Sequence, residues 1–272
     1  MKIFIKTGNN KNCQFVMPQI IDIIEEYGHC YDISSDDLKQ DINKIEKCDL
    51  IITVGGDGTL LSMNTYATKY NKPVLGINVG RLGFLTAIEG TQLDDLKTFF
   101  EDKDAFEIKK HSLLQARINN GNWKYCLNDV VIAKHMLSNT ISTEIYCNDS
   151  SIADIVCDCL IVATSTGSTA YSLSAGGPVV SPDVDCFLII PICPHTLNMR
   201  PIVIPTTEKI TIKNENEKLN VSFDGQVDTI VENEITIEKN ENYAKLLILN
   251  HEKDNFYDIL KEKLHWSLSP RK

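Results

Sequence analysis

The chain is short of positive charge. It has 27 lysines and arginines against 37 aspartates and glutamates, which gives a formal net charge of -10 over 272 residues. This balance argues against nucleic acid or an anionic membrane as the main partner. A small anionic ligand stays compatible with it, because a local site can be positive on an acidic protein.

Metal-binding cysteine pairs and membrane-spanning segments are also missing from the sequence. The nine cysteines include no CxxC pair, so neither a zinc site nor a disulfide framework is indicated. The amino-terminal MKIFIKTGNN is too short an apolar stretch for a signal peptide, and glycine, proline and hydroxyl side chains interrupt the uncharged stretch 159–182. We expect a soluble, cytoplasmic protein whose cysteines are reduced and mostly buried.

The first part of the chain alternates strand and helix patterns. KIFIK, DLIITVGG and PVLGINV are apolar runs typical of strands, whereas MPQIIDIIEEYG, TLLSMNTYATKY and LDDLKTFFED have helical spacing. Strands that alternate with helices at this spacing indicate a parallel sheet. The sequence therefore predicts a doubly wound α/β domain over residues 1–104.

Residues 105–249 are predominantly β in pattern. Short β-rich runs such as HSLLQARIN, WKYCLNDVVIA, IADIVCDCLIVA and EITIEKN are separated by polar breaks, and NNGN at 119–122 is a hairpin signal. We predict a β-sandwich domain here. The following DNFYDILKEKLHW returns to helical spacing and predicts a final helix.

The stretch LIITVGGDGTLLSMN places a glycine-rich loop between a buried strand and a helix. Backbone amides at such a helix start face the ligand site of an open α/β sheet. The loop has neither the GKS/GKT ending of a P-loop nor the GxGxxG spacing of a dinucleotide fingerprint. Asp57 at its centre suits either a general base or a carboxylate that holds a phosphate-bridging metal. The alternative is a plain turn in which Asp57 or Thr59 caps the helix.

A second loop, TSTGSTAYSLSAGGPVVSP at 164–182, carries many hydroxyls and no charge. Hydroxyls and exposed amides suit ribose and diphosphate oxygens, and Tyr171 can stack on a base. The alternative is a serine- and threonine-rich turn followed by a small-residue helix that packs against a neighbour.

Taken together and in order, the motifs of this chain resemble those of the NAD kinase family. They are GGDGT, NVGRLGFL at 78–85, LNDVVI at 127–132, TGSTAYSLSAGGP at 166–178, PICPHTLNMRPIVIP at 191–205 and FDGQ at 223–226. GGDG alone is shared with sphingosine, diacylglycerol and 6-phosphofructokinase-type kinases, whereas the long TGSTAYSLSAGGP block is specific. The resemblance implies transfer of a phosphoryl group from ATP or polyphosphate to the 2′-hydroxyl of the adenosine ribose of NAD, with Mg²⁺ accompanying ATP. It also implies a homodimer or homotetramer, and a segment 250–272 that returns to the first domain.

The resemblance also assigns residues to roles. Asp57 falls on the general base of the family, Gly58 would line the phosphate loop, and Arg81 is a candidate phosphate contact with loop packing as its alternative. The expected contacts to the dinucleotide are Asn128, Asp129, Asp158, Thr169, Ala170, Tyr171, Ser174 and Gln226. Asp158 matches a position that can reach a neighbouring subunit's site. A plain hairpin turn at Asp224-Gly225 is the alternative for Gln226.

Several positions depart from the family pattern or carry no catalytic role in it. Val156, Cys159 and Ser165 stand where the family commonly has a basic residue, glycine and proline, which bears on the diphosphate side of the site. We expect His195 to be a buried structural residue. Arg200 suits either a phosphate contact or a tie between strands.

Two other functions are compatible with parts of the sequence. A lipid kinase of the diacylglycerol or sphingoid type would share GGDGT, but it would need an apolar pocket for an acyl chain. A non-catalytic NAD(P) sensor would share the binding loops, but it would have no need for Asp57.

Overall fold

The computed structural model describes residues 1–35, 37–80, 83–102, 104–134, 140–214, 218–229, 233–250 and 256–265. The chain forms two compact units. One comprises Met1–Lys110 and Ala244–Lys272, and the other comprises His111–Tyr243.

The secondary structure follows the chain as strands and helices in alternation, then as strands, then as a final helix. In chain order the elements are β1 (Lys2–Thr7), α1 (Lys11–Glu26), β2 (Cys30–Ile33), α2 (Ile42–Lys47), β3 (Leu50–Gly55), α3 (Asp57–Lys69), β4 (Val74–Asn78), β5 (Ile88–Glu89), α4 (Asp94–Glu101), β6 (Phe106–Ile118), β7 (Lys124–Cys126), β8 (Asp129–Lys134), β9 (Ile141–Cys147), β10 (Ser150–Cys157), β11 (Cys159–Thr164), a 3₁₀ turn (Thr166–Thr169), α5 (Tyr171–Ser174), β12 (Cys186–Ile192), β13 (Ile202–Pro205), β14 (Ile210–Asn214), β15 (Leu219–Phe223), β16 (Gln226–Thr229), β17 (Asn233–Leu249) and α6 (Phe256–Leu264).

The first unit is built on a parallel sheet in the order β2-β1-β3-β4, and the end of β17 adds to it beside β4. β3 is buried along its whole length because helices cover both of its faces. Leu75 and Ile77 of β4 pack with α1 and α4 on one face, while Gly76 between them lies against Leu60 of α3 on the other. This confirms the predicted doubly wound α/β domain.

The boundaries in this unit differ from the sequence pattern in two places. α1 begins at Lys11 rather than at Met17, because the side chain of Asn10 accepts the N–H of Asn12 at 3.0 Å and caps the helix earlier. The short elements β2 and α2 carry too few apolar residues for periodicity to mark them.

The second unit is a sandwich of two sheets, as predicted. One sheet has the order β13-β12-β11-β8-β15-β16, and the other contains β10, β9, β14 and β17 together with β6 and β7. Buried apolar side chains from both sheets form one core between them. NNGN joins β6 to β7, and these two strands pair antiparallel with Leu114 of β6 opposite Cys126 of β7. The predicted hairpin is therefore confirmed.

Two predicted strands are each divided where the chain passes from one sheet to the other. Asp158 separates β10, which pairs with β9, from β11, which pairs with β8 and β12. Leu127 and Asn128 separate β7 from β8 in the same way. Three of the motif positions therefore lie at sheet crossings, which a run of apolar residues cannot mark.

Seven of the nine cysteines are buried thiols, and Cys30 and Cys193 are exposed. Within the described part of the chain, no helix has the length and apolar character needed to cross a membrane. The described side chains also form no cluster of three residues suited to hold a metal ion.

Candidate active site

Asp57 begins α3 directly after the buried strand β3, and its carboxylate is held from a separate loop. Oδ2 accepts the backbone N–H of Phe84 at 2.8 Å, and Oδ1 accepts that of Leu85 at 3.1 Å. Each carboxylate oxygen keeps a further lone-pair direction available. The two N–H groups therefore fix the carboxylate in place and leave it able to accept a proton.

The capping alternative for this aspartate is wrong. The N-cap of α3 is Gly56, and no side chain forms a capping hydrogen bond there. Asp57 still lies in the first turn, where the amide ends of the helix favour negative charge. The carboxylate is thus stabilised electrostatically by its own helix, while its orientation is set by the loop at Phe84.

The glycines beside Asp57 leave open space above the start of the helix. Gly56 and Gly58 are exposed, and a Cβ built on either would meet no other atom within 4 Å. A phosphate can therefore approach the backbone amides here. Arg81, the predicted phosphate contact, lies outside the described residues.

In the second unit, the carboxylate of Asp224 organises the LND segment. It accepts the N–H of Leu127 at 2.8 Å, of Asn128 at 2.8 Å and of Asp129 at 3.2 Å. Asp224 can reach all three because it and Gly225 form the tight turn between β15 and β16, with φ of 48° and 77°. The sequence indicates only a turn at Asp224 and does not predict that its carboxylate binds the LND segment.

The Asn128-Asp129 pair is nearly buried at the start of β8, with side chains 9% and 5% exposed. Burial, followed by the charge of Asp224, raises the pKa of Asp129 to about 7. At neutral pH the carboxyl of Asp129 can consequently either donate or accept a hydrogen bond to a ligand.

We predict that replacing Asp129 removes a pH dependence of stability. Its pKa is higher in the folded chain than in the unfolded chain, so the folded state holds more protons between about pH 4 and pH 7. Stability is therefore lost as the pH rises through about 7. At pH 8 the free energy of unfolding of Asp129→Asn, measured with denaturant, should exceed that of the wild type by about 2–4 kcal/mol, and near pH 4 the two should be similar. Asp154→Asn, at an exposed carboxylate of β10, should change little at either pH.

The hydroxyls of residues 164–168 mostly bind the protein itself. Thr164 Oγ1 donates to the carbonyl of Leu127 at 2.6 Å, and Ser168 Oγ donates to the carbonyl of Val180 at 3.0 Å. Thr166 Oγ1 lies 3.0 Å from Nδ1 of His111. Residues 164–168 are buried, so they shape the loop rather than line a binding surface.

The expected ligand contacts of this loop are the members that stay accessible. Thr169 and Ala170 are half-buried, and Tyr171 and Ser174 are exposed. Tyr171 is 48% exposed, so its ring face is free to stack on a base. The loop packs through Ala175 and Val180 onto the outer face of β11 and β12, as the packing interpretation predicts.

Asp158 and Gln226 are accessible on the same unit. Lys134 forms an ion pair with Asp158 at 3.0 Å and lowers the pKa of that carboxyl. Gln226 is exposed where β16 leaves the Asp224-Gly225 turn, which confirms that the hairpin is present beside it.

The expectation that His195 is buried is wrong. His195 is exposed, and its backbone N–H donates to the carbonyl of Val156 at 2.9 Å. Arg200 donates to the carbonyls of Leu197 and Met199 at 2.8 and 2.7 Å, so it fastens its own loop.

Comparison with known proteins identifies the family. Residues 6–104 match the model of the ATP-NAD kinase N-terminal domain, and residues 127–249 match that of the ATP-NAD kinase C-terminal domain. The chain belongs to the NAD kinase family. It is 34% identical to the NAD kinase of Clostridium tetani over 97% of this chain and 98% of that protein. The NAD kinase of Magnetococcus marinus is 39% identical over 80% of this chain and 74% of its own length.

Solved structures agree with this assignment. An NAD kinase from Archaeoglobus fulgidus in complex with ATP superposes with a TM-score of 0.80 at 27% identity, over 96% of this chain and 99% of that one. A yeast NADH kinase complexed with NADH shares the fold, with a TM-score of 0.85 at 22% identity over 100% of this chain and 89% of that one. The chain is therefore a kinase with NAD kinase activity, and the lipid-kinase and sensor alternatives are not favoured.

Proposed function

We propose that Asp57 is the general base that accepts the proton of the 2′-hydroxyl of NAD while the oxygen attacks the γ-phosphorus of ATP. The bond between the γ-phosphorus and the β,γ-bridging oxygen breaks, and ADP leaves with that oxygen. The observation that carries this proposal is the carboxylate of Asp57, held by two backbone N–H groups in the glycine-rich loop of an NAD kinase family member. Little covalent work is needed from the protein in such a transfer, so positioning dominates.

The acceptor dinucleotide is bound, in this proposal, by residues of the second unit. They are the buried pair Asn128 and Asp129 and the more accessible Asp158, Thr169, Ala170, Tyr171, Ser174 and Gln226. Tyr171 supplies a stacking surface, and the Asn128-Asp129 pair supplies an amide and a carboxyl of mixed protonation. Asp224 acts here only as a positioning residue, through the three N–H groups that it holds.

The donor phosphates are proposed to lie over Gly56 and Gly58 at the start of α3, and Mg²⁺ is proposed to enter with the nucleotide. Mg²⁺ usually keeps several waters and binds through one or two carboxylates plus substrate phosphates. One carboxylate at Asp57, with no cluster of three ligands among the described residues, fits an ion carried by ATP better than a resident ion. The ion would supply neutralisation of charge that develops on the phosphates.

The oligomeric state and the cellular location are also proposed. We propose a homodimer or homotetramer, in which the accessible carboxylate of Asp158 faces the site of a neighbouring subunit, and a cytoplasmic location. Seven buried thiols favour a reducing compartment. Sedimentation velocity of the purified chain tests the assembly, and a monomer at micromolar concentration would contradict it.

A steady-state assay tests the proposed function. Purified protein with NAD⁺, ATP and Mg²⁺ should form NADP⁺, detected with an NADP-specific dehydrogenase, and replacing ATP by polyphosphate measures the second donor. Sphingosine and diacylglycerol should accept no phosphate. Protein that binds NAD but forms no NADP⁺ with either donor would contradict the proposal and favour a sensor.

A further inference from the structure

The glycine-rich loop and α3 as far as Thr68 supply no side-chain cation to a bound phosphate. Residues 55–68 contain neither lysine nor arginine. This segment therefore presents backbone amides, and no lysine or arginine, to the open space above Gly56 and Gly58, beside a carboxylate that repels phosphate. A site for several phosphate groups needs a compensating positive charge in this place.

Besides the candidate Arg81, such a charge is available on α6. Phe256, Leu260 and Lys263 fall at i, i+4 and i+7, so they share one face of the helix. Leu260 on that face is buried at 4% exposure, and Lys263, one turn further on, is half-buried. Packing through Leu260 thus turns Lys263 inward, whereas the adjacent Lys261 and Glu262 are exposed.

Lys263 lies against the same loop that holds Asp57. Its Nζ is 4.6 Å from the centre of the Phe84 ring, and the backbone N–H of Phe84 is one of the two donors to the Asp57 carboxylate. A cation over an aromatic face is attracted to it without losing its hydrogen-bonding capacity. Within the part of the chain that the structure describes, Lys263 forms no ion pair with a carboxylate.

The surroundings of the Lys263 ammonium favour the binding of an anion. Partial burial lowers the pKa of Lys263, and the carboxylates of Asp57 and Glu262 oppose that lowering. A half-buried ammonium has three donors, and no carboxylate among the described residues forms an ion pair with Lys263, so an anion can bind there favourably.

We propose that Lys263 is a phosphate-binding residue of the active site, which contacts the donor's phosphates above Phe84. This inference rests on the proposed function of Asp57 and adds a residue to the same site. Helix α6 would then contribute to the active site, because it places a lysine beside a glycine-rich loop that has no cation of its own.

Inorganic tripolyphosphate and ATP are the probes that test this role. Lys263→Met should lower the affinity for tripolyphosphate, measured by calorimetry, and kcat/KM for ATP by about 10- to 100-fold, the range expected for a lost charge-assisted hydrogen bond. The dissociation constant for NAD should stay within about twofold. Lys263→Arg should retain most of the tripolyphosphate affinity, because it keeps the charge.

Lys261→Met is the matched control, because Lys261 sits on the exposed face of the same helix and pairs with Asp258 at 2.9 Å. It should leave both affinities unchanged. If Lys263→Met does not fold, Lys263→Gln takes its place. Wild-type affinity for tripolyphosphate in the Met or Gln variant, equal losses for NAD and tripolyphosphate, or an Arg variant as weak as Met would overturn the inference. Absence of NADP⁺ formation by the wild type would instead refute the proposed function and leave the binding comparison valid.

Discussion

Asp57→Asn should reduce turnover by about 10²- to 10⁴-fold while the dissociation constant for NAD changes by less than about threefold. The range is that of a lost general base, and the amide has the same shape as the carboxylate but accepts no proton at neutral pH. Only one oxygen remains to accept from the N–H groups of Phe84 and Leu85, so the variant should also lose about 1–3 kcal/mol of stability. Turnover, calorimetry with NAD and denaturant unfolding measure the three effects on one preparation.

Asp94→Asn provides the matched control for this variant. Asp94 is an exposed carboxylate in the first turn of α4 in the same unit, so its loss changes helix-terminal charge without touching the proposed site. It should leave turnover unchanged. Near-normal turnover in Asp57→Asn, or a fall in NAD affinity as large as the fall in turnover, would show that Asp57 is not the base.

Gly83→Ala should lower turnover by about 10- to 100-fold, although residue 83 carries no reactive group. A Cβ at this position would lie 2.9 Å from Cγ of Asp57 and closer still to one carboxylate oxygen. The carboxylate must therefore move, and a displacement of about 1 Å in a reacting group can cost 10²-fold. Stability should fall by about 1–3 kcal/mol from overpacking.

Gly58→Ala separates this effect from a general intolerance of alanine in the loops. A Cβ at Gly58 meets no atom within 4 Å, and the residue lies in α3, so the fold should be unaffected or slightly stabilised. We expect a raised KM for ATP with kcat retained, because the added methyl projects where phosphate is proposed to approach. Equal kinetics for the Gly83 and Gly58 variants would contradict the geometry assigned to Asp57.

The α/β unit could be predicted from sequence because its signals are local. Buried parallel strands such as β3 and β4 are continuous apolar runs, and α3 and α4 have their own periodicity. The sandwich was predictable as a class but not strand by strand, because the chain crosses between sheets at Asn128 and Asp158 without any break in β-rich composition.

Site residues that lie within a motif could be predicted from the sequence. Contacts that come from residues distant in the sequence could not. GGDG marked Asp57, but nothing near it in sequence indicates the N–H groups of Phe84 and Leu85 that orient its carboxylate. Asp224 binds the LND segment from almost a hundred residues away, and Lys263 reaches Phe84 from the last helix. Such contacts depend on tertiary packing, and a single sequence contains no periodic signal for them. The exposure of His195 likewise depends on how its loop leaves β12.

A single-turnover experiment with ATP labelled in its γ-phosphate tests the central claim most directly. Wild-type protein in excess over ATP, mixed with NAD⁺ and Mg²⁺ and quenched at intervals, should place the label on the 2′-oxygen of the adenosine ribose, in a product that an NADP-specific dehydrogenase reduces. Asp57→Asn should form the same product at least 100-fold more slowly, within the range for general-base catalysis. Label released only as inorganic phosphate, or equal rates in the two proteins, would contradict the account.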